Sequence, residues 1–271
     1  MTVVGIAMVR DEADVIAGTV RHMAGQVDQL LVADNGSVDG TLQLLHELAR
    51  DLPLVVTQDR DPAYYQGVKM TRLATLAAAT MGATWIVPFD ADELWHAEGG
   101  RIADVLAAVR PPVAYAALTD HLRTALDKDT PDPFRSMTWR KPSPAPLPKV
   151  AFRWEPGATV HQGNHGVSLP SAQAIVDTLA GRPPALAVRH FPVRSPEQFA
   201  RKARNGAAAY RAAPDLPADM GAHWRAWGQL YQQGGAELLA EVFREHWWYL
   251  SPPDAGLVHD PAPYQPQETR P

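Results

Sequence analysis

The chain contains no cysteine among its 271 residues. Disulfides, thiolate zinc sites and cysteine nucleophiles are therefore all excluded. An excess of positive charge is missing too: 25 Lys and Arg stand against 30 Asp and Glu, for a net charge of −5. No electrostatic footprint for nucleic acid follows from that balance. No apolar run is long enough to span a bilayer. The opening residues, Met1 to Val9, are apolar but carry no basic leader and meet Arg10-Asp11-Glu12 at once. They read as a first strand rather than a signal peptide. A cytoplasmic protein is expected, with peripheral membrane contact left open. The hydrophobic content of 46% is ordinary for a folded chain with a sizeable core.

The first 120 residues alternate strand and helix. Apolar runs at Val3–Val9, Leu30–Ala33, Leu54–Thr57, Trp85–Phe89 and Val113–Leu118 read as strands. Between them, Ile16, Val20 and Met23 share one helical face. So do Leu42, Leu45 and Leu48, then Leu73, Leu76 and Ala77, then Ile102, Val105 and Leu106. This alternation predicts an α/β fold with a mostly parallel sheet and helices on both of its faces.

The second half is different. Residues 127–148 are rich in proline and read as a long loop, of the length that serves as a lid. Lys149–Trp154 and Ala185–Phe191 read as strands. Pro196–Arg211 and Ala222–Leu250 read as helices, the second broken near Gly234-Gly235. Residues 251–271 read as a loosely packed tail. The expected division is 1–120, 121–250 and 251–271.

The most informative feature is Asp90-Ala91-Asp92, directly after the buried run ending at Phe89. Its carboxylates emerge at a strand's C-terminal end, the edge where open α/β sheets bind ligands. Two acids there can hold a divalent cation against a diphosphate. A lone D-x-D means little, since about one is expected by chance in a chain of this composition. Its context is what counts. The second strand ends in Asp34-Asn35-Gly36-Ser37-Val38-Asp39-Gly40-Thr41. Gly36 can take positive φ, and Ser37 or Asp39 can cap the next helix. Asp34 falls on the same sheet edge as Asp90 and can accept a nucleobase N–H, such as N3–H of uracil.

Arg10-Asp11-Glu12 after strand one, the Asp34–Thr41 segment after strand two, and Asp90-Ala91-Asp92-Glu93 after strand four stand in one order. Together they resemble the family-2-like glycosyltransferases of GT-A fold, over roughly residues 1–120. Gln66-Gly67 and Arg72 are similar to that pattern as well. The resemblance implies a Rossmann-like sheet with a mixed second half and C-terminal helices. It also implies a nucleotide-diphospho-sugar donor, UDP-linked by preference, and Mn²⁺ or Mg²⁺. In that scheme Asp34 reads the base and Asp90 lies near the ribose or the metal. Asp92 ligates the metal, and Arg10, Glu12, Gln66 and Arg72 complete the donor site. Glu93 orients a ligand or water, or is a surface acid at a helix start.

A histidine from the second half is expected to complete the metal shell. His190, at a strand end, is favoured over His165, which sits in the loop His161–Val167. Lys202 and Arg204 are read as phosphate contacts or as a solvated basic helix face. The acidic Glu-Asp pair typical of inverting members of the family is missing. Asp120, His121, Glu155 and His165 remain as candidates for the base that deprotonates an acceptor hydroxyl. That acceptor, whether saccharide, lipid-linked or small molecule, is not legible, nor is the oligomeric state. Trp139, Trp154, Trp224, Trp227, Trp247 and Trp248 offer faces for sugar stacking, although Trp224 and Trp227 at i, i+3 fit packing of a helix against the sheet better.

Other classes fit less well. A dehalogenase-type phosphatase places Asp-x-Asp after its first strand. A sugar nucleotidyltransferase needs a glycine-rich loop where Met8–Glu12 has none. An inactive carbohydrate- or nucleotide-binding relative would be expected to lose Asp90 and Asp92.

Overall fold

The computed structural model describes residues 1–128, 130–171, 184–217 and 219–261. The first six strands are β1 (Val3–Val9), β2 (Gln29–Asp34), β3 (Leu54–Gln58), β4 (Trp85–Pro88), β5 (Glu93–His96) and β6 (Val113–Thr124). They are followed by β7 (Trp139–Arg140), β8 (Lys149–Arg153), β9 (Thr159–Val160), β10 (Val167–Ser168), β11 (Leu186–His190), β12 (Trp248–Tyr249) and β13 (Val258–His259). The helices are α1 (Ile16–Gln26), α2 (Thr41–Leu48), α3 (Gln66–Met81), α4 (Ile102–Ala108), α5 (Pro133–Ser136), α6 (Pro196–Arg211) and α7 (Ala222–His246).

The main sheet runs β13-β7-β6-β8-β4-β1-β2-β3, with β11 joining β5 to β6. Strands β1 to β4 are mutually parallel, and β11 is parallel to β6. Antiparallel β8 is inserted between β4 and β6. The expected α/β architecture, with helices on both faces and a mixed second half, is what the chain adopts.

Alternation along the strands explains the two faces. Val3, Ala7 and Val9 of β1 pack with Ile16, Val20 and Met23 of α1, Leu45 of α2 and Leu106 of α4. Val4 and Ile6 point the other way, onto Met70, Leu73, Ala74 and Ala77 of α3. Burial on both faces is why these strands read as unbroken apolar runs. Leu76, expected on the buried stripe of α3, is 41% exposed, and Met70 takes its place.

In the second half, α6 and α7 pack through Phe199, Ala203, Leu239 and Phe243. Trp227 meets Phe199 edge-on at 5.0 Å, so it packs helix on helix and not helix on sheet as its spacing suggests. The α7 helix is interrupted at Gly235, whose φ of 65° and ψ of −153° only glycine adopts freely. The proline-rich segment is not an open loop. It contains α5 and β7, and it buries Phe134 and Met137 against Phe191 and Leu94. Of the expected tail, residues 262–271 lie outside the described residues. Among the described residues, no helix is long and apolar enough to cross a membrane.

Candidate functional site

The loops after β1 and β2 are tied together at the C-terminal edge of the sheet. Asp11, at φ 55°, accepts from Val38 N at 2.7 Å and from Asn205 Nδ2 of α6 at 2.6 Å. Its own N–H donates to Ser37 Oγ. Asp39 accepts from Ala13 N and from Thr41 N at the start of α2. The acidic, serine and threonine residues of the Asp34–Thr41 segment thus close the turn and bind its neighbour.

Asp34 ends β2 and is 2% exposed. Its Oδ1 accepts from Gly36 N and Ser37 N, both at 3.1 Å. Its Oδ2 is buried with no donor among the described residues. A buried carboxylate oxygen without a partner is costly, and a water or a ligand donor would satisfy it.

Asp90 lies on the same edge. Its Oδ1 accepts from Gln66 Nε2 at 3.2 Å and from Asn164 Nδ2 at 3.0 Å. Its Oδ2 meets Lys149 Nζ at 2.7 Å. The same ammonium lies 2.8 Å from Glu93 Oε1. The other oxygen of Glu93 accepts from Trp95 Nε1 and from the Asp90 N–H. Glu93 is 0% exposed and lies in β5, so it is neither a surface acid nor a helix-start residue. Burial raises its pKa, which Lys149 only partly offsets and Asp90 reinforces. Burial also works against charge on Lys149, but Asp90 and Glu93 outweigh it and hold the ammonium protonated. Glu93 is thus enclosed between Lys149 and Trp95.

Asp92 is paired with Lys202 of α6, whose Nζ lies 2.5 Å from Oδ2. Arg194 Nη1 and His190 Nε2 each lie 3.7 Å from the same oxygen. Burial alone would raise the Asp92 pKa. Lys202, His190 and Arg194 outweigh it and hold the carboxyl well below the usual range. Arg194 also binds Glu12 and, at 2.7 Å, Asp14. Glu12 is thereby part of the ionic network under the site.

One rung across three strands brings further groups in. His190 of β11 is opposite Glu93 of β5 on one side and Asp120 of β6 on the other. His190 Nδ1 and Asp120 Oδ1 are 2.8 Å apart, and Lys141 Nζ is 2.7 Å from Asp120 Oδ2. Burial lowers the His190 pKa, but Asp92 and Asp120 overcome this and raise it. Asp120 is pushed down to about 2: burial opposes the shift, while His190 and Lys141 drive it.

The loop between β9 and β10 closes the site from the second half. Gly67 N, at the start of α3, donates to Gln162 Oε1. A Cβ at Gly67 would lie 2.8 Å from the Val160 carbonyl oxygen, so only glycine permits this approach. Lys149 also donates to Gly163 O at 2.7 Å. His165 Nδ1 bonds Pro148 O at 2.9 Å, which makes Nδ1 the protonated nitrogen and leaves Nε2 as acceptor. Burial and Lys149 lower its pKa.

Several expected residues are elsewhere. His121 neighbours Asp120 but faces the opposite side of β6, because successive strand residues alternate. It is 1% exposed, stacks on Phe191 at 4.6 Å and bonds Met137 O, so it cannot serve as the base. Glu155 follows β8, which runs antiparallel to β4, and so lies at the far end of the sheet, where it accepts from Ser171 N. Arg72 is exposed on α3, more than a turn beyond Gln66, and Arg204 is an exposed residue of α6. Arg10 directly follows β1, at the same sheet edge, with Nε buried and without an acceptor among the described residues. Lys149, Asn164 and Arg194 were not singled out from the sequence. The only signal for Lys149 was a lysine opening an otherwise apolar strand.

The expected metal set of Asp90, Asp92 and His190 does not fit a divalent cation as arranged. Mg²⁺ and Mn²⁺ bind through one or two carboxylates whose charge is free to meet them, with water and substrate phosphate completing the shell. Here an ammonium is seated on each aspartate, and His190 Nδ1 is held by Asp120. Among the described residues, no group of three or more His, Asp or Glu could hold a metal ion.

No family model matches the sequence, and no curated protein matches it. Among solved structures, S. aureus TarS 1-349 in complex with UDP is similar, at 14% identity and a TM-score of 0.39. That alignment covers 91% of this chain and 74% of that one. A longer TarS structure aligns at 17% identity and TM-score 0.36, over 56% of this chain and 28% of that chain. Glucosyl-3-phosphoglycerate synthase from Mycobacterium tuberculosis, in complex with Mn²⁺, UDP and glucosyl-3-phosphoglycerate, aligns at 23% identity and TM-score 0.25, over 34% of each chain. The chain thus spans about a third or less of two of these three proteins, and at these scores the likeness assigns no substrate.

Proposed function

We propose that the chain is a glycosyltransferase that moves a sugar from a nucleoside-diphospho-sugar to an acceptor hydroxyl. The observation that carries this reading is the pairing of two features on one sheet edge. One is the buried, donorless Oδ2 of Asp34. The other is the partly exposed ammonium of Lys202, seated on Asp92 with the buried Arg194 behind it. The first suits a base N–H, for which N3–H of uracil is preferred, and the second suits a diphosphate. Residues 1–120 hold the donor, and 121–250 hold the acceptor while lending Lys149, Arg194 and Lys202 to the donor site; of the expected tail, the described residues pair β13 with β7 and seat Asp260 on Arg140 and Arg189.

Among the candidate bases, His165 is favoured. It is neutral near pH 7, with Nε2 as acceptor, whereas Asp120 is too weakly basic. Proton removal from the acceptor hydroxyl by one base, opposite the leaving diphosphate, gives inversion. The acceptor class stays a saccharide, a lipid-linked sugar or a small molecule. The divalent ion expected from the sequence is not carried into this reading, because the aspartates that would bind it are already paired.

Calorimetric titration with UDP, CDP, GDP and dTDP tests the reading. UDP should bind most tightly. Failure of all four to bind would reject it.

A further inference from the structure

The two aspartates of Asp90-Ala91-Asp92 are each neutralised by a lysine from the second half. The lysines are not equivalent. The Lys149 side chain is 4% exposed and its ammonium is fully used, by Asp90, Glu93 and Gly163 O. The Lys202 side chain is 23% exposed. Its ammonium donates to Asp92 Oδ2 and to Pro192 O at 3.1 Å. An ammonium has three donors. The third has no acceptor among the described residues, on the sheet edge where ligands of such folds sit. Arg194, 1% exposed and bound to Glu12, Asp14 and the Phe191 carbonyl, adds a fixed charge beneath it.

We infer that Lys202, held by Asp92 and backed by Arg194, supplies the positive charge for a diphosphate in place of a divalent cation. Asp92 is then a positioning residue that aims the ammonium, not a metal ligand. Lys149 acts differently, neutralising Asp90 and Glu93 inside the protein. This inference rests on the proposed use of a nucleoside diphosphate, and it changes what such a ligand requires. A lysine is a point charge that is part of the chain, so no metal has to be recruited before the diphosphate binds.

The test is calorimetry of UDP with the full chain, once in EDTA and once in Mn²⁺. The expected result is affinities within about threefold of each other. Lys202→Met should weaken UDP binding in EDTA by about tenfold or more, while Lys202→Arg, which keeps the charge, should retain most of it. Circular dichroism of each variant checks the fold. UDP affinity that rises about tenfold or more with Mn²⁺ in the unaltered protein would overturn the inference and leave the proposed function standing. A folded Lys202→Met that binds UDP as tightly as the parent would also overturn it. If neither UDP nor the other nucleoside diphosphates bind in either buffer, the proposed function fails and this inference with it. Should Lys202→Met not fold, the comparison of EDTA with Mn²⁺ in the unaltered protein still decides.

Discussion

Asp92 and Lys202, 110 residues apart, meet at 2.5 Å over the C-terminal edge of the sheet. This contact joins the β4 end to α6, and so ties the first half of the chain to the second.

Asp34→Ala should reduce discrimination between UDP and CDP or GDP. The lost acceptor is worth about 1–3 kcal/mol. Competitive titration of the variant measures it. Unchanged preference among the nucleotides would show that Asp34 does not read the base.

His165→Ala should lower turnover by about 10²- to 10⁴-fold with little change in UDP affinity. The base must be unprotonated to act. In the parent, kcat/KM should therefore fall on the acid side through a pKa lowered by burial and by Lys149. That limb should vanish in the variant. A parallel acid limb in both proteins would assign the base elsewhere.

His121 makes stability depend on pH. Burial pushes its pKa down to about 4, against the hydrogen bond to Met137 O. The unfolded chain titrates at about 6.5 and so binds more protons between those values. Stability is full above about pH 6.5, declines as pH falls toward 4, and is level with respect to this group below that. The total is on the order of 3 kcal/mol. Denaturant unfolding between pH 7 and 4 should show part of this loss removed in His121→Phe.

Lys149→Met should destabilise the protein by about 3–5 kcal/mol, since Glu93 would remain buried beside Asp90 without its cation. Glu93→Gln on that background should recover part of the loss. Chemical denaturation of the four members of the cycle gives the coupling. Additive losses would mean that the pair is not coupled.

Much of the first half was legible from periodicity. Ile16, Val20 and Met23 are all fully buried as their spacing implies, and β1 spans Val3–Val9 as read. Asp34 and Asp90 could be placed at an edge because strands between two helical layers are uninterrupted apolar runs. The C-terminal end of β6 was not legible. Polar residues from Thr119 onward mask a strand that continues to Thr124. Its register with β11 is what sorts Asp120 toward the site and His121 away from it. The partners of the carboxylates were hidden for a different reason. A lysine at position 149 or 202 shows its charge in sequence, but whether that charge meets water or a buried acid depends on contacts across many residues. Lys202 lies on a helix that reads as basic and solvated, and only the packing of α6 under the β4 end directs it inward.

Glu93 sets an order of events for the nascent chain. Its carboxylate is sealed beneath the sheet edge, and its neutralising ammonium arrives 56 residues later, with β8. A chain that has emerged only to residue 120 would have to bury that acid protonated, bury it unpaired or leave the β4–β5 connection open. The apolar strands before it carry no such need, but Glu93 meets its cation only once β8 is in place. A truncation at residue 120 removes Lys149 and with it the cation that Glu93 is buried against.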